Sequence, residues 1–214
     1  MKRIASLGLL FFFISSALAV VPTIEPIGKF QGNAPDAVKA AIADTGFRVT
    51  GGDGAILAEI WPAKSALATK TANSTAVYPE FVNGAFYGIV TFPKGGGDYR
   101  GQKVSAGTYT MRYQLLPDDG NHLGVAPNPD FFLLIPIDAD TDPSAKLEYA
   151  TLVRLSAKSA GTAHPAPFQL ATPAAKPVYV NEDQGHTIAY FPINTSTGTV
   201  NIGMILSGAS DEQQ

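Results

Sequence analysis

Thr108-Tyr109-Thr110-Met111-Arg112-Tyr113-Gln114-Leu115 alternates polar and apolar residues without a break. A period of two belongs to a β-strand, whose successive side chains point to opposite faces. It predicts one buried face carrying Tyr109, Met111, Tyr113 and Leu115, and a second carrying Thr108, Thr110, Arg112 and Gln114. Two neighbours complete the unit. Phe86-Tyr87-Gly88-Ile89-Val90-Thr91-Phe92 precedes it across a glycine-rich turn, and Asp130-Phe131-Phe132-Leu133-Leu134-Ile135-Pro136-Ile137 follows after a polar loop. The latter is apolar nearly throughout, as in a strand covered on both faces. These three strands are expected at the heart of a mostly β, antiparallel β-sandwich, jelly-roll or Ig-like, with one or two short helices packed on it.

Length and composition agree with that class. A chain of 214 residues suits one domain, and 45% hydrophobic residues can fill its core. Charged residues make up only 15%, and the net charge is -3. No clustered basic surface is implied, so a nucleic-acid partner is not expected. The 21 glycines and 16 prolines, set between short apolar runs, read as turns between strands.

Residues 1–19 read as a signal peptide. Lys2 and Arg3 form a positive start, Leu7 to Ile14 an apolar centre, and Ala17-Leu18-Ala19 the small-x-small pattern cut by signal peptidase. The apolar run is too short for a membrane span, so none is expected in the mature protein. The expected location is the periplasm or the medium, after cleavage following Ala19. The absence of cysteine excludes disulfides, thiolate nucleophiles and Cys-based zinc sites. Together with an export signal it points to a bacterial envelope or extracellular protein.

After a proline-punctuated lead-in (residues 20–34), a single domain is expected over residues 35–206, then a flexible tail over 207–214. A short helix should open behind Pro35. Phe47–Thr50 and Ala55–Trp61 flank Gly51-Gly52-Asp53-Gly54, a hairpin signal. A second helix is expected over Ser144–Lys158, with Asp142 as its cap, Pro143 in its first turn and Gly161 closing the segment. Further strands are expected at Phe168–Ala171, Val178–Val180, Thr187–Ile193 and Thr199–Leu206.

Recognised catalytic signatures are missing. There is no G-x-S-x-G elbow, no H-E-x-x-H and no dinucleotide fingerprint, and the turn Pro93–Gly101 lacks the spacing of a phosphate loop. Asp138, Asp140 and Asp142 make a weak calcium candidate, because Pro143 and Tyr149 stand where an EF-hand needs glycine and a bidentate Glu. The better candidate cluster is Asp118, His122, Asp130 and His164. The Asp130 strand runs away from the Asp118 loop for about 25 Å at roughly 3.3 Å per residue. A helix returning for about 22 Å would bring His164 back to the end where that loop lies. Imidazoles and carboxylates gathered there would take a divalent metal as cofactor. The competing account makes Asp118-Asp119-Gly120-Asn121 a simple turn. His186 is expected at the surface.

The hairpin Asp98–Tyr113, with Ala106-Gly107-Thr108-Tyr109 at the start of its long strand, resembles one in a group of uncharacterised secreted bacterial β-sandwich proteins. That group, met mainly in environmental bacteria such as acidobacteria, also carries an Asp-Gly-Asn-His loop, an Asp-Phe strand and a His-Pro pair. Here Asp119-Gly120-Asn121-His122, Asp130-Phe131 and His164-Pro165 match them. The resemblance implies a fold and a compartment but no activity. Two functions therefore stand at this point. One is a non-enzymatic envelope module binding a small molecule, a glycan or an envelope protein. The other is a metal-dependent hydrolase or lyase using Asp118, His122, Asp130 and His164.

Overall fold

The computed structural model describes residues 21–70, 75–117, 126–174, 179–183 and 186–207. Residues 1–20 (which include the expected signal peptide), Asp118, His122 and most of the tail lie outside them. In chain order the elements begin with β1 (Thr23–Ile27), α1 (Asp36–Ala41), β2 (Gly46–Thr50), β3 (Ile56–Pro62) and β4 (Phe86–Phe92). A small hairpin, β5 (Gly96–Gly97) and β6 (Lys103–Val104), leads to β7 (Gly107–Leu115) and β8 (Asp130–Pro136). Then come α2 (Tyr149–Ala160), β9 (Pro167–Ala171), β10 (Tyr179–Asp183), β11 (His186–Thr195) and β12 (Gly198–Ser207). The proline-punctuated lead-in supplies β1, paired with β2 from Thr23↔Thr50 to Ile27↔Gly46.

Ten strands form one antiparallel sheet in the order β1-β2-β3-β4-β7-β8-β9-β12-β11-β10. Hydrogen bonding passes through all ten, and the sheet curls until β1 and β10 approach each other, nearly making a barrel. The three strands read from sequence lie side by side as β4, β7 and β8. Their register pairs Met111 with Leu134 and Tyr113 with Phe132, so Phe132 and Leu134 face the interior while Phe131 and Leu133 face outward. Phe92, Phe168, Phe191, Ile60 and Ile202 complete the buried interior, and Leu115 packs against its end. Gly88, at a register shift in β4, has φ +136° and lies where a Cβ would come 2.4 Å from the Trp61 carbonyl oxygen. Only glycine permits that approach.

One end of the curl is filled by polar-tipped aromatics. Asp130, the first residue of β8, points inward with Phe132 and is fully buried. Its carboxylate accepts from the Val77 amide (2.8 Å), the Tyr78 amide (3.0 Å) and the Tyr113 hydroxyl (2.7 Å). Burial, and then the neighbouring Asp130 carboxylate, hold the Tyr113 phenol well above its ordinary range. Phe81 stacks on Tyr78 and meets Tyr87 and Tyr113, closing the plug.

The outer face of β7 departs from the simple polar-out expectation. Thr110 and Arg112 are both 0% exposed, because residues 137–147 and α2 cover them. Arg112 lies over the Phe86 ring, 5.6 Å from its centroid, and pairs bidentately with Asp140 through Nε (2.8 Å) and Nη2 (2.7 Å). It also donates to the carbonyls of Gly84 (3.1 Å), Asp142 (2.7 Å) and Ala145. The Thr110 hydroxyl adds a 2.6 Å bond to Asp140.

That network corrects the expected second helix. A helix over Ser144–Lys158 would have used the Ala145 carbonyl in its own ladder, but here it accepts from Arg112. Asp142 does not cap a helix. Its carboxylate takes the Ser144 amide and hydroxyl in a local turn, and α2 opens only at Tyr149, behind Glu148. It ends where expected, on Gly161 in the left-handed region. Leu152 then packs on Leu133 and Ile135, fixing α2 across β8. Asp140 is likewise committed to Arg112, which removes it from the calcium candidate set formed with Asp138 and Asp142.

Arg112→Ala should destabilise the fold by about 3–5 kcal/mol, because it leaves the Asp140 charge buried without its partner. Urea unfolding checks this, and an unchanged midpoint would show that the network does not hold the segment.

Candidate functional site

A cleft of about 580 Å³ opens on the outer sheet face at one end of β7, β8 and β9. Its floor follows directly from register. Gln114 lies opposite Phe131, and Phe131 opposite Gln169, so the three side chains form one row across three strands. Leu133 and Pro167, also directly opposite each other, extend the apolar part. One wall is the first two turns of α2, where Tyr149 and Val153, four residues apart, share a helix face. The facing wall is the loop Asp98–Gln102.

That loop is organised by its own carboxylate. Asp98 Oδ1 accepts from the amides of Arg100 (2.9 Å) and Gln102 (2.8 Å), and the main chain closes with Asp98 N to Gln102 O at 3.0 Å. What sequence presents as a glycine-rich turn is therefore a tight aspartate-centred loop. Its position on the sheet is set by Tyr99, which stacks on His186 with centroids 4.5 Å apart and planes within 1°. The His186 Nε2 lies 3.2 Å from the Tyr99 carbonyl oxygen, so this histidine is half-buried and fastens the loop instead of standing free at the surface.

Three glutamines give the cleft its polar character, and each amide is oriented by a main-chain carbonyl. Gln102 Nε2 donates to Pro165 O (3.3 Å), Gln114 Nε2 to Leu115 O (2.9 Å), and Gln169 Nε2 to Asn128 O (2.9 Å). A carbonyl can only accept, so the amide nitrogen must face it and the oxygen must take the other direction. Gln169 is fully buried, and its Oε1 has no hydrogen-bond partner. The ionisable groups on the walls, among the described residues, are Asp98, Tyr99, Arg100, Tyr149 and His164. Asp98 is only 3% exposed, and burial holds its carboxyl above the ordinary carboxylate range despite the loop amides.

The residues singled out from sequence are dispersed. His164 lies at the cleft together with Leu116, Pro117 and Ala126, which flank the Asp118–His122 loop. The returning helix does bring the chain back to that end. Asp130 is elsewhere: it faces the interior with Phe132, on the opposite side of the sheet from Phe131 and the cleft. Its carboxylate already serves three donors, so Asp130 and His164 cannot share an ion. Asp118 and His122 lie outside the described residues. Among the described residues, no three His, Asp or Glu side chains gather closely enough to hold a metal.

Sequence reading missed the glutamines, Tyr149 and Asp98 as wall residues. A signal existed for Gln169: Phe168-Gln169-Leu170 has a strand period, which sets the glutamine opposite two apolar neighbours. Nothing local indicated that this outward face would be roofed by α2.

Because its carboxyl is raised, ionised Asp98 is less favourable in the folded than in the unfolded chain. Its contribution to stability is therefore greatest below about pH 4 and is lost as pH rises through the elevated value. Asp98→Asn keeps an oxygen for the two amides and removes the buried charge. The variant should melt higher than the parent at pH 7, with the gap closing below about pH 4. Thermal melts across pH check this, and a variant less stable at pH 7 would reverse the assignment.

Comparison with protein-family models, with curated proteins and with solved structures found no match.

Proposed function

We propose that the protein is an exported envelope or extracellular module that binds a small polar ligand, free or as the end of a glycan, in the cleft beneath α2, without catalysing a reaction. One observation carries this reading: an outward-facing cavity in which an apolar floor of Phe131, Leu133 and Pro167 is ringed by oriented amides. Apolar walls with a few convergent polar groups are the usual make-up of ligand sites. Catalysis has less support. Asp98 turns its carboxylate into its own loop, and the contacts of His164 with Thr162 engage its main chain and not its ring, so among the described residues neither has a hydrogen-bonded nucleophile partner. Among the described residues no helix is long and apolar enough to cross a membrane.

Export rests on the charged start, apolar centre and Ala17-Leu18-Ala19 of the N-terminus, and on the resemblance to secreted bacterial proteins. The same reading treats the curled sheet as a flattened, sandwich-like body. Phe47 of β2 and Phe191 of β11 support that cross-section, since their rings meet across the interior at 6.0 Å.

Val153→Trp, on the α2 face that lines the cleft, should fill the site without touching the core beneath Leu152. In a thermal-shift screen of small polar compounds, ligands that raise the parent's melting temperature should leave this variant unmoved. A ligand shift that survives the substitution would place binding elsewhere. N-terminal sequencing of the exported protein should begin at Val20, and recovery of Met1 would overturn the cleavage assignment.

A further inference from the structure

We infer that the ligand of this cleft is a neutral sugar ring, held by hydroxyl donors to the side-chain oxygens of Gln102, Gln114 and Gln169 and by its C–H face against the apolar floor; the inference rests on the cleft reading above. Each of the three amides has given its nitrogen to a main-chain carbonyl. No donor from a described residue reaches any of the three oxygens, and that of Gln169 is buried without a partner. A buried acceptor left unpaired is unfavourable by about 1–3 kcal/mol. A ligand that supplies a donor there recovers that deficit, so Gln169 selects for donors.

Charge narrows the class. An ammonium ligand would want an exposed carboxylate on the wall, but Asp98, the one carboxylate lining the described cleft, is buried and bound to its own loop amides. An anionic ligand would find Arg100 on the loop wall, but on the floor it would meet the glutamine oxygens, which repel its own. The floor acceptors therefore favour uncharged hydroxyls. Adjacent strands lie about 4.8 Å apart, so Gln114 and Gln169 flank Phe131 at roughly 9–10 Å between their Cα atoms. An apolar centre with an acceptor on either hand is the complement of a ring whose faces carry C–H bonds and whose edge carries hydroxyls.

The test uses the exported protein and a panel of neutral monosaccharides and disaccharides, with a uronic acid and an aliphatic amine as charged comparators, measured by titration calorimetry. The best neutral sugar is then titrated into Val153→Trp, Gln114→Leu and Gln169→Leu, and its monodeoxy analogues into each. Binding should disappear in Val153→Trp and weaken about tenfold in each glutamine variant, the equivalent of one lost hydrogen bond. The deoxy analogue that lacks the matching hydroxyl should lose about tenfold on the parent and nothing further on the corresponding variant. A melt of each variant guards against misfolding, and Gln114, half-buried at the strand end, carries the test alone if Gln169→Leu does not fold. Sugar binding that Val153→Trp abolishes and both glutamine variants retain would overturn the amide contacts and leave the cleft standing. Binding of only the amine or the uronic acid, again lost in Val153→Trp, would overturn the sugar class. If no probe binds in a way that Val153→Trp abolishes, the cleft reading itself falls, and this inference with it.

Discussion

Arg112 is the buried charge on which the architecture turns. Taking a guanidinium out of water is unfavourable by several kcal/mol unless its hydrogens are all engaged. A guanidinium has five N–H groups, and here five acceptor contacts receive them: two Asp140 oxygens and the carbonyls of Gly84, Asp142 and Ala145. Two of those carbonyls belong to the segment between β8 and α2. By holding them, Arg112 lays that segment flat on the sheet and delays the helix until Tyr149. The delayed start sets Tyr149 and Val153 over the row Gln114–Phe131–Gln169. The cleft is thus a downstream result of one ion pair on the same sheet face.

Asp130 follows the same rule on the other face. A carboxylate inside an aromatic plug would be untenable alone, but two amides and a phenol donate to it. Asp130 and Asp140 therefore sit on opposite sides of the β7–β8 pair, each fastening a loop to the strands. Both resemble site residues in the sequence because polar groups within apolar runs usually signal chemistry. Here they signal that a loop crosses the sheet at that point.

The strands were legible because their information is local. Alternation in Thr108–Leu115 and the apolar run after Asp130 fixed β7, β8 and the pairing of the interior residues to within one choice of face. Which face of β8 is interior was not legible, since both are apolar, and that ambiguity let Asp130 be grouped with His164. The fate of Arg112 was equally hidden: alternation separates two faces but cannot say what covers the second. Helix α2 was misplaced at its start for the same reason, because Asp142-Pro143 is a good capping pair until a distant side chain claims the carbonyls that follow. Chain length alone brought His164 to the end of the sheet where Leu116 and Pro117 lie. The glutamine row needed the register of three strands, which no single strand contains.

The sheet order also bears on how the chain reaches its final shape. From β1 to β9 most neighbours in the sheet are near in sequence, and β10 to β12 form a second such meander. Within the sheet the two are paired strand to strand between β9 and β12, at Ala171↔Gly203 and Leu170↔Met204, and Ala66, after β3, adds a bridge to Thr195. Local hairpins close quickly, whereas joining distant segments must first overcome the entropy of the intervening loop. The two meanders can therefore assemble as separate units whose docking comes last. Tyr78 spans the seam between them: its hydroxyl donates to the Ala171 carbonyl at 2.7 Å and accepts from the Gly203 amide at 2.8 Å. The neighbouring Tyr78 amide is held by Asp130, so the inward carboxylate acts as the anchor of a latch on that joint.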